Sequence, residues 1–280
     1  MTWTRRQLLQ RAACGFGYLA FAGLAAQASA SDNPLAPKPP HHQPRAKRVI
    51  FLFMHGGPSH VDTFDYKPKL QQDDGKDAPI DPKTFNASAS RRLMASPWKF
   101  RQHGESGLWI SELFPEVARH ADELCVIRSM HTNGQSHGQA VLMLHTGSEN
   151  LTRPSMGSWI VYGLGTENSS LPGFVTICPP RGHGGAQNYG NAFLPAIYQG
   201  TAIGNADTPA SSAQIRFLRH PYLPMDVQRW QFDYLQRLNQ EHLRRAGEDE
   251  QLEGVIQSFE LAFRMQRVAP EILDLSRESA

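Results

Sequence analysis

Val49 to Met54 is an unbroken apolar run that stops at Gly56-Gly57-Pro58. A run of that length, bounded by turn residues, predicts a strand covered on both faces, as in a parallel sheet. Leu124-Cys125-Val126-Ile127 and Phe174-Val175-Thr176-Ile177-Cys178 repeat the pattern and predict two further strands. Leu113 to His120 reads as a short helix between the first two, with Pro115 in its first turn and Leu113, Val117 and Ala118 on one side. A second helix is expected to start near Ser136 to Gly138. The strand-helix-strand order places the chain in the α/β class. From Met225 to Arg245 and from Gln251 to Arg267, apolar positions recur at helical spacing. The stripes Val227, Trp230, Tyr234, Leu238 and Leu252, Val255, Ile256, Phe259, Phe263 predict packing faces of two long helices. Gln71 to Pro97 keeps no period and reads as a surface excursion, and Ala186 to Thr201 reads as a loop or lid.

The first thirty residues stand apart. Arg5-Arg6-Gln7-Leu8-Leu9 leads into the apolar, small-residue stretch Ala12 to Ala26 and then Ala28-Ser29-Ala30, the pattern of an export signal cleaved after Ala30. The arginine pair resembles a twin-arginine address, which carries folded proteins across the bacterial inner membrane and so suits proteins that load a cofactor first. Periplasm or cell envelope is the expected location. The competing reading is a membrane anchor, but the apolar run is about fifteen residues, short of the roughly 20 needed to span. Residues 31–47, with NPLAPKPPHHQPRAK, predict an extended Pro-rich linker. The remaining stretch, residues 48–280, is long enough for one α/β domain.

Charge narrows the partners. Lys and Arg total 28 against 26 Asp and Glu, a formal net charge of +2, so no basic excess recruits nucleic acid. Cys125 and Cys178, the cysteines beyond the signal, lie in strand-like runs and read as two buried thiols. No Cys spacing points to cysteine-ligated zinc.

Candidate chemistry gathers where strands end. In open α/β sheets ligands bind beyond the carboxyl ends of the strands, and His55, Ser59, His60, Asp62 and Asp65 come soon after the first run. A glycine turn with solvated polar residues is the competing reading. Arg128 to Gly147 repeats the arrangement with His131, Asn133-Gly134, Ser136 and His137 before a helix. A helix start offers free N–H groups and a favourable dipole to an anion, although Ser136 is equally explained as an N-cap and the histidines as exposed loop residues. Of the 12 histidines, seven lie between positions 55 and 145, and a metal that activates water or a hydroxyl wants such nitrogen and carboxylate donors. The third run ends at Pro179-Pro180 and the loop Arg181-Gly182-His183-Gly184-Gly185.

The twin-arginine start, FLFMHGGPSHVDTFDYKP, SMHTNGQSHGQAVLMLHTG, SMGSWIVYGLG and FELAFRMQRVAPEILDLSRES together resemble Domain of Unknown Function 1501. That family is assigned by similarity to the sulfatase and alkaline phosphatase superfamily. The resemblance implies a mostly parallel sheet between helices, a site at the strand carboxyl ends and divalent metals as cofactors. Sulfatase-like chains end their first strand in metal-binding aspartates, whereas His55-Gly56-Gly57 stands here. His55 or Asp62 would substitute as ligand, favouring a zinc-like ion over calcium or magnesium. Leu144-His145-Thr146-Gly147 resembles the leucine-threonine-glycine end of the nucleophile helix. Counting back places His137, with Ser136 beside it, at the nucleophile position. No cysteine stands there, so Ser136 is the candidate nucleophile and His137 the candidate ligand or base.

The resemblance also implies further strands and metal ligands in a C-terminal half, so the expected architecture is the N-terminal portion of a sulfatase-like fold. The leading expectation is an exported, metal-dependent hydrolase of small-molecule or polysaccharide sulfate or phosphate esters, with His55, Asp62 and His137 as metal ligands. The alternatives are a catalytically silent carbohydrate- or surface-binding protein and a truncated fragment without function.

Overall fold

The computed structural model describes residues 33–79, 92–134, 136–247 and 249–274. The expected signal, residues 1–30, lies outside them. The chain forms two compact units, one of Ile50–Asn133 and one of the residues up to Val49 together with those from Gly134 onward.

In the 50–133 unit the expected first strand is absent. Residues 48–54 form no strand with any described residue, and all but the half-buried Phe53 are exposed, Leu52 at 87%. Turn residues come next as expected, Gly56 and Gly57 both holding positive φ, at 101° and 71°. A 3-10 turn at His60–Asp62 and helix α1 (Pro68–Gln72) lie beyond them. An antiparallel hairpin, β1 (Phe100–His103) and β2 (Leu108–Ser111), then pairs Phe100 with Ser111 and His103 with Leu108. Its turn is clamped from outside: the Asp122 carboxylate accepts from the backbone N–H of Ser106 at 2.8 Å and of Glu105 at 3.1 Å. Those two donors hold the Asp122 pKa below the ordinary aspartate value. Helix α2 (Pro115–Ala118) starts at Pro115, where the missing N–H costs nothing. Ile110, fully buried, packs with Ala118 and Ala121 beneath Phe64, Leu108 and Phe114. The second expected strand, Leu124 to Ile127, is also not a strand, and Cys125 on it is exposed rather than buried.

The second unit holds α3 (His137–Thr146), α4 (Met156–Leu164), β3 (Val175–Ile177), β4 (Thr201–Ile203), α5 (Met225–Ala246) and α6 (Glu250–Ile272). The third expected strand is therefore present, paired parallel to β4 with Val175 against Thr201 and Ile177 against Ile203. Mixed helix and strand content with small sheets agrees with the α/β class. In place of the expected single sheet between helices, the described residues form two two-stranded sheets, one of them antiparallel.

Leu35, Val161, Leu194, Ile197, Tyr198, Leu261, Met265 and Ala269 form this unit's core. Leu194, Ile197 and Tyr198 come from the stretch read as a loop or lid, which instead folds into 3-10 turns at Gly185–Tyr189 and Ala196–Tyr198. Leu35 comes from the expected linker. Residues 33–38 dock: Lys38 N–H donates to Leu164 O, Thr166 N–H donates to Leu35 O, and Lys38 Nζ reaches Tyr162 O at 2.6 Å. The ammonium also lies over the Tyr162 and Tyr198 rings, and burial pulls its pKa down.

The Ser155 hydroxyl caps α4 by accepting from Ser158 N–H, and Ser158 Oγ donates to Gly190 O, so this buried hydroxyl pair is satisfied. Asp249 caps α6 through Gln251 and Leu252 N–H. Helices α5 and α6 meet through stacked Phe232 and Phe263 and a Gln236–Glu260 hydrogen bond of 2.7 Å. The predicted α5 stripe is not a packing face, since Trp230 is 73% exposed and Tyr234 and Leu238 are exposed with it. On α6, Ile256 is buried but Val255 and Phe259 are exposed. No helix among the described residues is long and apolar enough to cross a membrane.

Candidate functional site

His55 and Asp62 lie in the 50–133 unit, whereas Ser136 and His137 lie in the other. His55 is exposed at the glycine turn, its ring edge-on to Phe53 with centroids 6.4 Å apart. Asp62 is half-buried in the 3-10 turn. The carboxylate that this segment buries is Asp65. Lys67 Nζ sits 2.9 Å from it, with Arg128 Nε and His60 Nε2 each at 3.9 Å, so the charge is compensated on the spot. Thr63, buried beside it, donates its hydroxyl to Ser59 O and its carbonyl accepts from Ser111 N–H. These contacts pin the loop to β2 and give Asp65 a structural part.

In the second segment the helix starts where expected, although among the described residues no strand leads into it. Helix α3 begins at His137, with Ser136 as an extended N-cap residue (φ −101°, ψ 149°), and ends at Gly147 in the left-handed conformation. The Ser136 side chain makes no capping bond to the helix backbone; its hydroxyl lies 3.1 Å from Gln139 Oε1 and donates to it. Gln139 is itself oriented, its Nε2 donating to Asn150 Oδ1 at 3.3 Å. An exposed serine hydroxyl, held by an ordered amide, therefore stands at a ten-residue helix's positive end.

His137 has a neighbour that its own segment does not supply. The His183 ring lies edge-on to it, with centroids 5.4 Å apart and planes at 83°. The glycine-rich turn after β3 was legible, but its meeting with α3 was not. Two close approaches create it. A side chain at Gly184 would stand 2.9 Å from Leu142 Cδ2 on α3 and 2.6 Å from Asn188 Oδ1. Asn188, buried, donates its Nδ2 to His183 O at 3.0 Å. His183 itself holds φ 48°, uncommon for a residue with a Cβ. Among the described residues, no group of three or more His, Cys, Asp or Glu converges as a metal cage.

The profile of one protein family, described as Protein of unknown function (DUF1501), matches residues 46–280. The chain belongs to this family. The match spans both units of this DUF1501 protein and includes His55, Asp62, Ser136, His137 and His183. No curated protein and no solved structure matches the chain.

Proposed function

We propose that this DUF1501 protein is an exported, metal-dependent hydrolase of sulfate or phosphate esters, with an alkaline phosphatase- or sulfatase-like lineage. One observation supports the reading before any other: the Ser136 hydroxyl, oriented by Gln139, stands at the N-terminus of α3 with the His137 imidazole on the next residue. Backbone N–H groups and the dipole at that position favour the anionic ester and the charge that builds up as it is attacked. In this reading Ser136 Oγ forms a bond to the phosphorus or sulfur as its proton leaves to solvent, or to His137 when that imidazole acts as base rather than as metal ligand. The ester alcohol departs, and water then releases the acid and restores the serine.

His55 and Asp62 in the 50–133 unit and, separately, His137 in the other unit are the proposed metal-ligating residues, and imidazole donors fit a zinc-like ion better than calcium or magnesium. Such an ion would supply Lewis-acid polarisation of the ester oxygen. Small-molecule or polysaccharide esters are the proposed substrates, and export through Arg5-Arg6 would place the reaction in the periplasm or envelope. A second reading, a silent carbohydrate- or surface-binding protein, draws support from the lack of a three-donor cage among the described residues.

The two readings part in a single assay. The purified chain with added zinc, manganese or calcium should cleave aryl phosphates or aryl sulfates, and Ser136→Ala should reduce turnover by about 10³-fold or more, as loss of a nucleophile does. Turnover unchanged in Ser136→Ala would refute the nucleophile. No turnover with any of these ions and esters would favour the binding protein.

A further inference from the structure

We infer that His137 and His183 form a two-imidazole binding site for a zinc-like transition-metal ion. The inference deepens the metal-dependent hydrolase reading, and it rests on that reading for the ion's role in turnover but not for its binding. Two imidazoles on one tetrahedral ion, each nitrogen about 2.0–2.1 Å from it, place their ring centroids about 5 Å apart. The rings here are 5.4 Å apart and nearly perpendicular. Both side chains are exposed, so an ion has access to them from solvent.

The pair joins residues far apart in sequence, and the fold fixes its two halves independently. His137 is the first residue of α3, whose start is set by Ser136. His183 is held by the Asn188 bond to its carbonyl and by its own left-handed backbone between glycines. A non-glycine residue at φ 48° carries a conformational cost, and such costs collect where a side chain must be aimed. On the helix side, Gly138 lies against the His183 backbone, where a Cβ would make an ordinary van der Waals contact of 3.8 Å with His183 Cα.

The donor set selects the ion. Both donors are imidazole nitrogens, which disfavours calcium and magnesium, ions that take oxygen ligands. Neutral imidazole suits zinc, nickel and copper, so the pair is a half-site leaving other positions to solvent or an anionic ligand. Its location at the head of α3, beside Ser136, puts a bound cation next to the proposed nucleophile.

The test is calorimetric titration of the full chain with Zn²⁺, repeated with Ni²⁺, on the wild type and on His137→Gln, His183→Gln, His55→Gln and Asp62→Asn. Loss of a directly ligating donor should cost at least the roughly 10–100-fold that loss of an outer partner costs. His137→Gln and His183→Gln should each weaken binding by that factor, while His55→Gln and Asp62→Asn leave this site unchanged. A folding defect in either variant is covered by histidine footprinting of the wild type with diethyl pyrocarbonate, where Zn²⁺ should protect His137 and His183 together. Binding that survives both glutamine variants, or protection of only one of the two rings, overturns the site. Binding lost in both variants, with no ester cleaved under any condition, would uphold the site and defeat the hydrolase. Cleavage that continues in both variants with Zn²⁺ binding intact would overturn the site and leave the hydrolase standing.

Discussion

Leu35→Ala tests whether the Pro-rich segment ahead of residue 48 is part of the folded unit. Leu35 is 3% exposed and packs with Val161, Leu194, Ile197, Tyr198, Leu261, Met265 and Ala269. Full burial of a leucine side chain contributes about 1.5–3 kcal/mol, and the cavity left by truncation raises the usual cost of Leu→Ala to about 2–5 kcal/mol. The segment carrying Leu35 is also tied by hydrogen bonds to Leu164 and Thr166, which limits its collapse into the void. It nevertheless lies at one end of the described chain, so a cost near the lower end, about 2–3 kcal/mol, is expected. That is a change of roughly 30- to 150-fold in the folding equilibrium. Urea unfolding monitored by circular dichroism would read the loss, and hydrogen exchange in α4 and α6 would localise it. Leu52→Ala is the matched control, because Leu52 is 87% exposed and should cost under about 0.5 kcal/mol. A Leu35→Ala variant as stable as Leu52→Ala, with exchange unchanged in α4 and α6, would refute docking and restore the free tether.

Asp122 and the α5 stripe give two further expected outcomes. Asp122 has its pKa depressed by the Ser106 and Glu105 amides, so its contribution to the hairpin turn is present above the unfolded aspartate value, about 3.9, and is lost as pH falls through the lower folded value. Amide resonances of Glu105 and Ser106 should therefore titrate below that unfolded value and lose the transition in Asp122→Ala; a midpoint at or above it would contradict the clamp. Trp230→Glu with Tyr234→Glu should change stability by less than about 1 kcal/mol in total, since both side chains are exposed on α5. A loss of several kcal/mol in urea unfolding would show that the stripe is a packing face after all.

The helices were legible because their signals are local. Pro115 marks the first turn of α2, Ser136 and Gly147 bracket α3, and apolar periodicity outlines α5 and α6. The strands fared worse for a physical reason. A continuous apolar run states that a segment would gain from burial, but a strand exists only when another strand supplies its hydrogen bonds, and that partner is not encoded in the run. Phe174 to Cys178 found β4, whereas Val49 to Met54 and Leu124 to Ile127 found no partner among the described residues. The opposite error occurred at FRQHGESGLWIS, where a real hairpin hides because only the second strand is apolar and its turn depends on distant Asp122. The α5 stripe shows the same limit in a helix: period identifies which side chains share a face, not whether anything covers it.

The site divides along that line too. The strand-end rule singled out the Ser136–Gly138 start and the Arg181–Gly185 turn from sequence, each for its own local pattern. Their meeting depends on Gly184 lying against Leu142, some forty residues away in sequence, while the nearby Asn188 holds the turn. Asp65 shows the converse. As a carboxylate near two histidines it reads as a ligand candidate, yet Lys67 and the distant Arg128 neutralise it in place. A carboxylate already matched by two cations gains less from a metal than one facing only neutral imidazoles. A metal is therefore better matched where imidazoles from separate segments meet, as those of His137 and His183 do, than where the sequence density of charged side chains is highest.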